Sequence, residues 1–393
     1  MSETLICVAD DVGIRVWLER VLESEWSLEC VTSSDLSRVS RLVQVTGAPV
    51  VIVAVEEHDP ARALKTFAAV QKACPGSQLV GVSQRISQDL LLNIMQAGAR
   101  DCLITGVDSD SARERVRRVA EVTGQQNSGR SSRINTQNIT LIVSPSPVVD
   151  TRFFAQNLAA EINHRLSDQS VLAIDTLADD NRTFYFDSLN RLSLNELIER
   201  GDSIDRSFIE TALDEYAPGL RLLSGNLTAD ALSGDSAADL FITTTQLADL
   251  FANIVIRVDY SQTELWLNAI GADVSRLILV THPVVDQIQN AQSQVKKMQE
   301  WMGSDCEYHL VVDGYEKRSS LSLGEVEKTV GLDCHLALPI EWRYRLDSIN
   351  AGIPMSLLPS RSAYQRKLDQ FVRKYYSTVA EGLRIPMLTR TPS

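Results

Sequence analysis

A chain of 393 residues has room for about two or three domains at roughly 150 residues each, and a 44% hydrophobic content is ample for packed cores. The formal net charge of -13 argues against general nucleic-acid binding. No stretch approaches the ~20 uninterrupted apolar residues of a membrane span. The opening MSETLICVADD carries an acid at once and no basic leader, so no signal peptide is expected. Six cysteines (Cys7, Cys30, Cys74, Cys102, Cys306 and Cys334) form no CxxC and no Cys/His cluster. They read as reduced core thiols of a cytoplasmic protein, not as a zinc site or a disulfide framework.

Over residues 1–121, strand candidates at 4–8, 28–31, 50–55, 78–82 and 102–104 alternate with amphipathic helices. Ile14, Trp17, Leu18, Val21 and Leu22 share one helix face, and Ala63, Leu64, Phe67 and Val70 share another. Such alternation with short connections predicts a parallel sheet covered on both sides. The order resembles the receiver domain of two-component response regulators. ICVADD matches that family's acidic-pair strand, with Asp10 and Asp11 as the acids, APVVIVAV its central strand, VGVS its fourth, and AGARDCLIT its last helix end and fifth strand. The resemblance implies a phosphoryl-accepting aspartate at the end of the third strand, yet Val55 stands there, or Ala54 if the register slips by one. Ser83 fits the hydroxyl position, and Thr105 replaces the lysine. Glu56 and Glu57 either mimic a constitutive negative charge or are simply solvated. Asp10 and Asp11 either bind a cation weakly or are strand-end acids without a ligand. The expectation is a degenerate receiver kept for docking.

Residues 122–138, VTGQQNSGRSSRINTQN, hold almost nothing apolar and read as a flexible linker. A second β/α alternation then occupies 139–393, opening on ITLIVSPSPVVDTRFFAQNLA. Its order is a buried strand at 139–143, a loop broken by Pro145 and Pro147, and a helix from Thr151 on, with Phe154, Ala155, Leu158, Ala159 and Ile162 at helical spacing. A nucleoside triphosphatase would wrap phosphates at such a place with glycine amides, a helix N-terminus and a lysine. The loop SPSPVVDT has neither glycine nor lysine. Its prolines remove two amide donors, and Asp150 puts negative charge where a phosphate would sit. Further strands are expected at 170–175, 253–259, 276–281 and 308–312, and helices at 286–301 and 363–383. The segment between the first two, SLNELIERGDSIDRSFIETALDEYAPGLRLLSG, supplies two helices and a strand.

This segment resembles the MinD/ParA-like deviant P-loop ATPases, and within them the CpaE/TadZ branch of Flp (tight adherence) pilus assembly proteins. AQNLA, VLAIDTLADD, SIDRSFIETAL, GLRLLSG, VIRVDY, LILVTHPVVDQIQNAQ and LPIEWRYRLDSINAGIPM follow the branch's order, and an atypical receiver ahead of this domain is itself a mark of the branch. The fold class expected is α/β, with two doubly wound parallel-sheet domains: a flavodoxin-like receiver, then a P-loop MinD/ParA-like domain. The resemblance places Thr151 at the phosphate-loop lysine, Arg152 at the magnesium-binding hydroxyl and Ser146 at the dimer-crossing signature lysine. Asp175 and Asp259 stand where an active relative holds Mg²⁺ or water, while Leu177 and Ser261 replace a second acid and a proline. With both lysines gone, hydrolysis and tight ATP binding are not expected, since one lost charge-stabilising donor typically costs about 10²–10³ in rate. Arg152 either substitutes as the cation, giving a working ATPase, or is an arginine exposed at a helix start. His282 and His309 are assigned no chemistry.

Residues 361–393 carry a net charge of +5 (seven basic, two acidic) on a chain of -13. Phe371, Val372, Tyr375, Tyr376 and Val379 lie among those cations. The tail is expected either to pack on the sheet with a basic outer face or to touch a membrane as an amphipathic helix. The resemblance implies a non-catalytic scaffold without cofactor that positions a Flp pilus machine, often at a cell pole. Its expected partners are the pilus assembly ATPase, the inner-membrane platform and a second copy of itself. A regulator switched at the receiver is the other functional expectation.

Overall fold

The computed structural model describes residues 3–56, 59–126, 138–178, 182–188, 190–200, 204–213, 215–225, 227, 236–303 and 305–376, with backbone only at 44, 122–126, 138 and 236–238. The first unit is built from β1 (Glu3–Val8), α1 (Val12–Leu22), β2 (Trp26–Val31), α2 (Leu36–Thr46), β3 (Val50–Val55), α3 (Pro60–Ala73), β4 (Gln78–Ser83), α4 (Gln88–Gln96), β5 (Ala99–Ile104) and α5 (Ala112–Gln126). All its strands are parallel, in the order β2-β1-β3-β4-β5, which is the flavodoxin and receiver order. Helix starts follow local chemistry. Asp11, Asp35, Asp59 and Ser87 each accept an amide of the first turn, satisfying a donor the helix cannot, and Pro60 presets the first residue of α3.

The second unit contains β6 (Asn138–Val143), α6 (Arg152–Arg165), β7 (Val171–Asp175), α7 (Leu194–Arg200), α8 (Arg206–Ala212), β8 (Glu215–Ala217), β9 (Leu220–Ser224), α9 (Ser236–Leu250), β10 (Asn253–Arg257), α10 (Thr263–Ile270), β11 (Arg276–Thr281), α11 (Val285–Trp301), β12 (Glu307–Asp313), α12 (Leu323–Val330), β13 (Cys334–Leu338), α13 (Trp342–Ala351) and α14 (Ala363–Tyr375). Its sheet runs β13-β12-β11-β6-β10-β7-β9-β8, parallel except for β8, which pairs antiparallel with β9 at the edge. From β6 the chain passes to β7 on one side, and from β10 it crosses to β11 on the other. The crevice beside β6 is therefore a topological switch point, where open α/β sheets take ligands.

Helix α6 lies buried between the sheet and α14, with Phe153, Phe154, Leu158 and Ile162 in one core with Tyr364, Leu368, Phe371 and Val372. The opposite core is continuous across both units. Leu36, Val39, Phe67 and Val70 of α2 and α3 belong to the same cluster as Leu240, Trp266, Leu267 and Ile270 of α9 and α10. Polar contacts fix that junction: Ser37 Oγ donates to the Asn268 carbonyl at 2.6 Å, Arg41 to those of Glu300 and Met302 at 3.0 and 3.2 Å, and Lys65 pairs with Asp239 at 2.9 Å.

Several elements differ from the sequence expectation. Helix α5 continues to Gln126, so 122–126 are helical and not linker, and 127–137 lie outside the described residues. The fourth strand of the second sheet in chain order, apart from the edge, ends at Arg257 and not at Asp259. Asp259 instead caps a 3-10 turn over Tyr260–Gln262 by accepting the Ser261 amide. Helix α6 begins at Arg152, with Thr151 as its cap residue. The tail helix is seen as Ala363–Tyr375; residues 377–383, and Val379 with them, lie outside the described residues.

Candidate functional site

Strands β6, β10 and β7 are neighbours, so their carboxyl ends bring the loop at 144–151, Arg257 and Asp175 together. Arg257 stands directly opposite Asp175 in register. Its guanidinium is 3.0 Å from the Asp175 carboxylate, 3.2 Å from that of Asp259 and 3.2 Å from the Thr151 hydroxyl, and it also donates to the Leu177 carbonyl at 3.4 Å. Asp175 is 0% exposed, Thr151 1% and Arg257 7%. A fixed guanidinium thus sits among the two acids and Thr151, the residue that the sequence resemblance places at the phosphate-loop lysine position.

The anion side is filled in the same way. Asp150 Oδ1 accepts the amide of Arg152, the first residue of α6, at 2.9 Å and its Nε at 3.1 Å, while Oδ2 accepts the Tyr185 hydroxyl. A carboxylate of the chain therefore occupies the helix N-terminus that a phosphate oxygen would approach. Arg152 is held by Asp150 and lies 5.0 Å from the centre of the Tyr185 ring, so its charge already has a partner within the chain. Ser146 is buried; its hydroxyl accepts the Val148 amide at 3.4 Å and its carbonyl the Val149 amide at 3.2 Å.

Electrostatics agree with this self-contained network. Burial pushes the Asp150 carboxyl upwards, but the Tyr185 hydroxyl and Arg152 outweigh it and hold the group below its ordinary value. Burial and Asp150 push the Tyr185 phenol up to about 12. At Asp175 burial wins: Arg257 and the Phe184 amide pull the carboxyl down, yet it stays above its ordinary value. At Asp259 burial is outweighed by the Ser261 hydroxyl and amide and by Arg257, so that acid stays low. The groups that would fit Mg²⁺-nucleotide are each already bound to another part of the chain.

The receiver site follows the same plan. Asp10 accepts the Ser33 amide at 3.0 Å and its hydroxyl at 2.5 Å, and pairs with Arg62 of α3 at 3.1 Å. Asp11 caps α1 through the Ile14 amide at 3.0 Å and accepts Gln84 Nε2 at 3.2 Å. Val55 is buried and pairs with Ser83 across β3 and β4, whose hydroxyl contacts the Val55 and Arg85 carbonyls at 2.9 and 2.6 Å. Val55 lines a pocket with Asp11 and Ser83, and Ala54 lines another with Asp10 and Arg62. Thr105 lies beyond β5, its amide on the Ser83 carbonyl at 2.9 Å. Glu56 lines the pocket with Asp11, Ser83 and Arg85, and Glu57 lies outside the described residues.

Arg257 and Arg62, the cations of both networks, are missing from the sequence reading. Arg257 left a trace, a charge directly after the apolar run IVI of the strand NIVIR. The sequence did not show which acid it meets. His282 contacts the Asp313 carbonyl at 3.0 Å, and His309 is packed edge-on against His335, Phe371 and Tyr375. The apolar side of α14 is spent on this cluster and on α6, leaving Arg366, Lys367, Arg373 and Lys374 outward. No described helix is long and apolar enough to cross a membrane.

Fold and site together define a receiver-fold domain joined to a domain of the MinD/ParA P-loop ATPase fold. Among solved structures, the chain is similar to the ParA family ATPase from Chlorobium tepidum TLS, at 16% identity and a TM-score of 0.54 over 60% of this chain and 98% of that one. It is also similar to the cell division ATPase MinD from Pyrococcus furiosus (16% identity, TM-score 0.48, 63% of this chain and 100% of that one). A CheY-like protein, TadZ, from Pseudomonas aeruginosa PAO1 is similar at 22% identity and a TM-score of 0.29, over 34% of this chain and 99% of that one. No protein family model and no curated protein matches the chain.

Proposed function

We propose that this protein is a non-catalytic organiser in which a pseudo-receiver and a pseudo-ATPase hold a fixed shape for partners. The observation that carries the reading is Arg257, whose guanidinium ties together Asp175, Asp259 and Thr151. Mg²⁺-ATP would have to displace a buried arginine and the Asp150 carboxylate and would find no lysine to replace them. Calorimetric titration of Mg²⁺-ATP into the full chain tests this: no binding heat up to millimolar nucleotide is expected. Saturable binding that is lost in Arg152→Ala would establish the working-ATPase reading instead.

The assembled system is drawn from the sequence resemblance: a Flp pilus machine on the cytoplasmic side of the inner membrane, often at a pole. The pilus assembly ATPase and its membrane platform are the partners on this reading. The carboxyl edge of the second sheet supports a nucleotide-independent homodimer. Val148, Val284, Val285, Trp342 and Leu346, at 70%, 47%, 56%, 58% and 49% exposure, stand on its loops, at the start of α11 and on α13. Membrane contact through the described part of α14 would use its basic outer side. Co-purification with the pilus ATPase, and loss of polar fluorescence of that ATPase on deleting this chain, are the expected results. An unchanged distribution would remove the positioning role.

A further inference from the structure

Strands β1 and β2 place Cys7 and Cys30 directly opposite each other in register. Residues paired in neighbouring strands about 4.8 Å apart project from the same face, and that spacing falls within the roughly 4.4–6.8 Å between Cα atoms that a disulfide spans. Both side chains lie under α1, Cys7 wholly buried and Cys30 half-buried. Strand β2 is the outer strand of its sheet, so it is free to adjust on one side and to admit a small reagent to Cys30. We propose that Cys30 and Cys7 are an oxidisable dithiol, with Cys30 the reacting and Cys7 the resolving thiol, whose oxidant is a small peroxide.

The surroundings separate the two roles. A hydrogen bond from the Cys7 thiol holds Cys30 down at about 7 against the opposing effect of burial. Arg15 helps, and Glu19 and Glu29 oppose. The same bond, with burial and Glu19, pushes Cys7 up, against Arg15. Burial drives Cys74, Cys102 and Cys306 up to about 12, 11 and 12 and raises Cys334. Cys30 therefore has the thiolate character that oxidation selects, and the other four serve as internal controls.

The chemistry balances without a metal or cofactor. The Cys30 thiolate attacks one peroxide oxygen, forming S–O as O–O breaks, and the departing hydroxide takes up a proton to become water. The Cys7 sulfur then attacks the sulfenic sulfur, forming S–S as S–O breaks, and the Cys7 proton leaves with the hydroxyl as a second water. Two thiols lose two electrons, and one hydrogen peroxide becomes two waters. The bridge would lie three residues before Asp10 and Ser33, which follow the ends of the same two strands and make the contact with Arg62.

Limiting hydrogen peroxide is added to the full chain, followed by peptide mass mapping with and without dithiothreitol. The expected product is one reducible crosslink joining the Cys7 and Cys30 peptides, with the other four thiols free. Alkylation of Cys30 at neutral pH should outpace that of Cys306 by roughly tenfold. In Cys7→Ala, Cys30 should stop at a sulfenic acid captured by dimedone, and in Cys30→Ser, Cys7 should remain reduced. Should either variant fail to fold, phenylarsine oxide capture in the native chain decides, because it bridges only neighbouring thiols. Crosslinks to other cysteines, Cys30 reacting no faster than Cys306, or no arsenical capture would overturn the proposal.

Discussion

Replacing Arg257 with alanine asks whether its guanidinium is the cation on which the second domain depends. Asp175 is 0% exposed and lies 3.0 Å from Arg257. Its other described donor is the Phe184 amide at 3.2 Å. Removing one member of a buried ion pair leaves an uncompensated charge and costs about 3–5 kcal/mol. Asp259, more exposed and supported by Ser261, adds little. The expected loss at pH 7 is therefore about 3–5 kcal/mol by urea denaturation, and the loss carries a pH signature. Without the arginine, burial acts on Asp175 unopposed by its main partner, and its folded pKa climbs further above the roughly 3.9 of an unfolded aspartate. A raised carboxyl has its full stability below the unfolded value and loses it as pH rises through the folded one. The variant's deficit should thus be smaller at pH 4 than at pH 7, and Asp175→Asn in the same chain should recover part of it. A deficit below about 1 kcal/mol at pH 7, or one indifferent to pH and to Asp175→Asn, would refute the reasoning.

Four further outcomes are expected. His309, 2% exposed, is pushed down to about 4 by burial and by His335; its contribution should be present above pH ~6.5 and lost toward pH 4, amounting to about 3 kcal/mol, and should vanish in His309→Phe. Gly352 has φ +63°, and an added Cβ would lie 2.7 Å from the Asp187 backbone nitrogen, so Gly352→Ala should cost about 2–4 kcal/mol in thermal or urea unfolding. Light scattering should give the same mass with and without Mg²⁺-ATP, and Trp342→Glu should reduce it to that of a monomer. Radiolabelled acetyl phosphate should leave the first domain unlabelled, because Val55 has no group to accept the phosphoryl.

The legible parts of this chain were those where residue identity decides. Strands 50–55 and 276–281 are continuous buried runs, and their bounds match the structure because nothing else competes for such segments. Strand β8 escaped because three residues, EYA, carry no alternation, and α9 because ITTT reads as strand until burial of Leu240, Phe241 and Leu247 holds it as a helix. What the phosphate loop lacks is likewise a matter of identity. What fills the gap is a matter of register: Arg257 and Asp175 lie 82 residues apart and meet only because β10 pairs with β7. A buried arginine nonetheless demands a partner, so NIVIR itself signalled that an acid had to lie nearby.

The two arginine-filled sites differ in how firmly they are closed. Arg257 and Asp175 are sealed, so opening them means stranding a charge in the core. Arg62 and Asp10 each keep about a third of their side-chain surface in water, 33% and 34%, and an ion pair in that setting is worth under about 1 kcal/mol. Arg62 belongs to α3, the helix that also carries Lys65 to Asp239 and Lys72 to Asp249 on α9. A change at the first site therefore has a mechanical route into the second domain through α3 at small energetic cost. The second site, by contrast, is closed by an ion pair whose partners keep 9% and 1% of their side-chain surface in water. Burial alone thus makes the first site the cheaper of the two to open and the second the costlier.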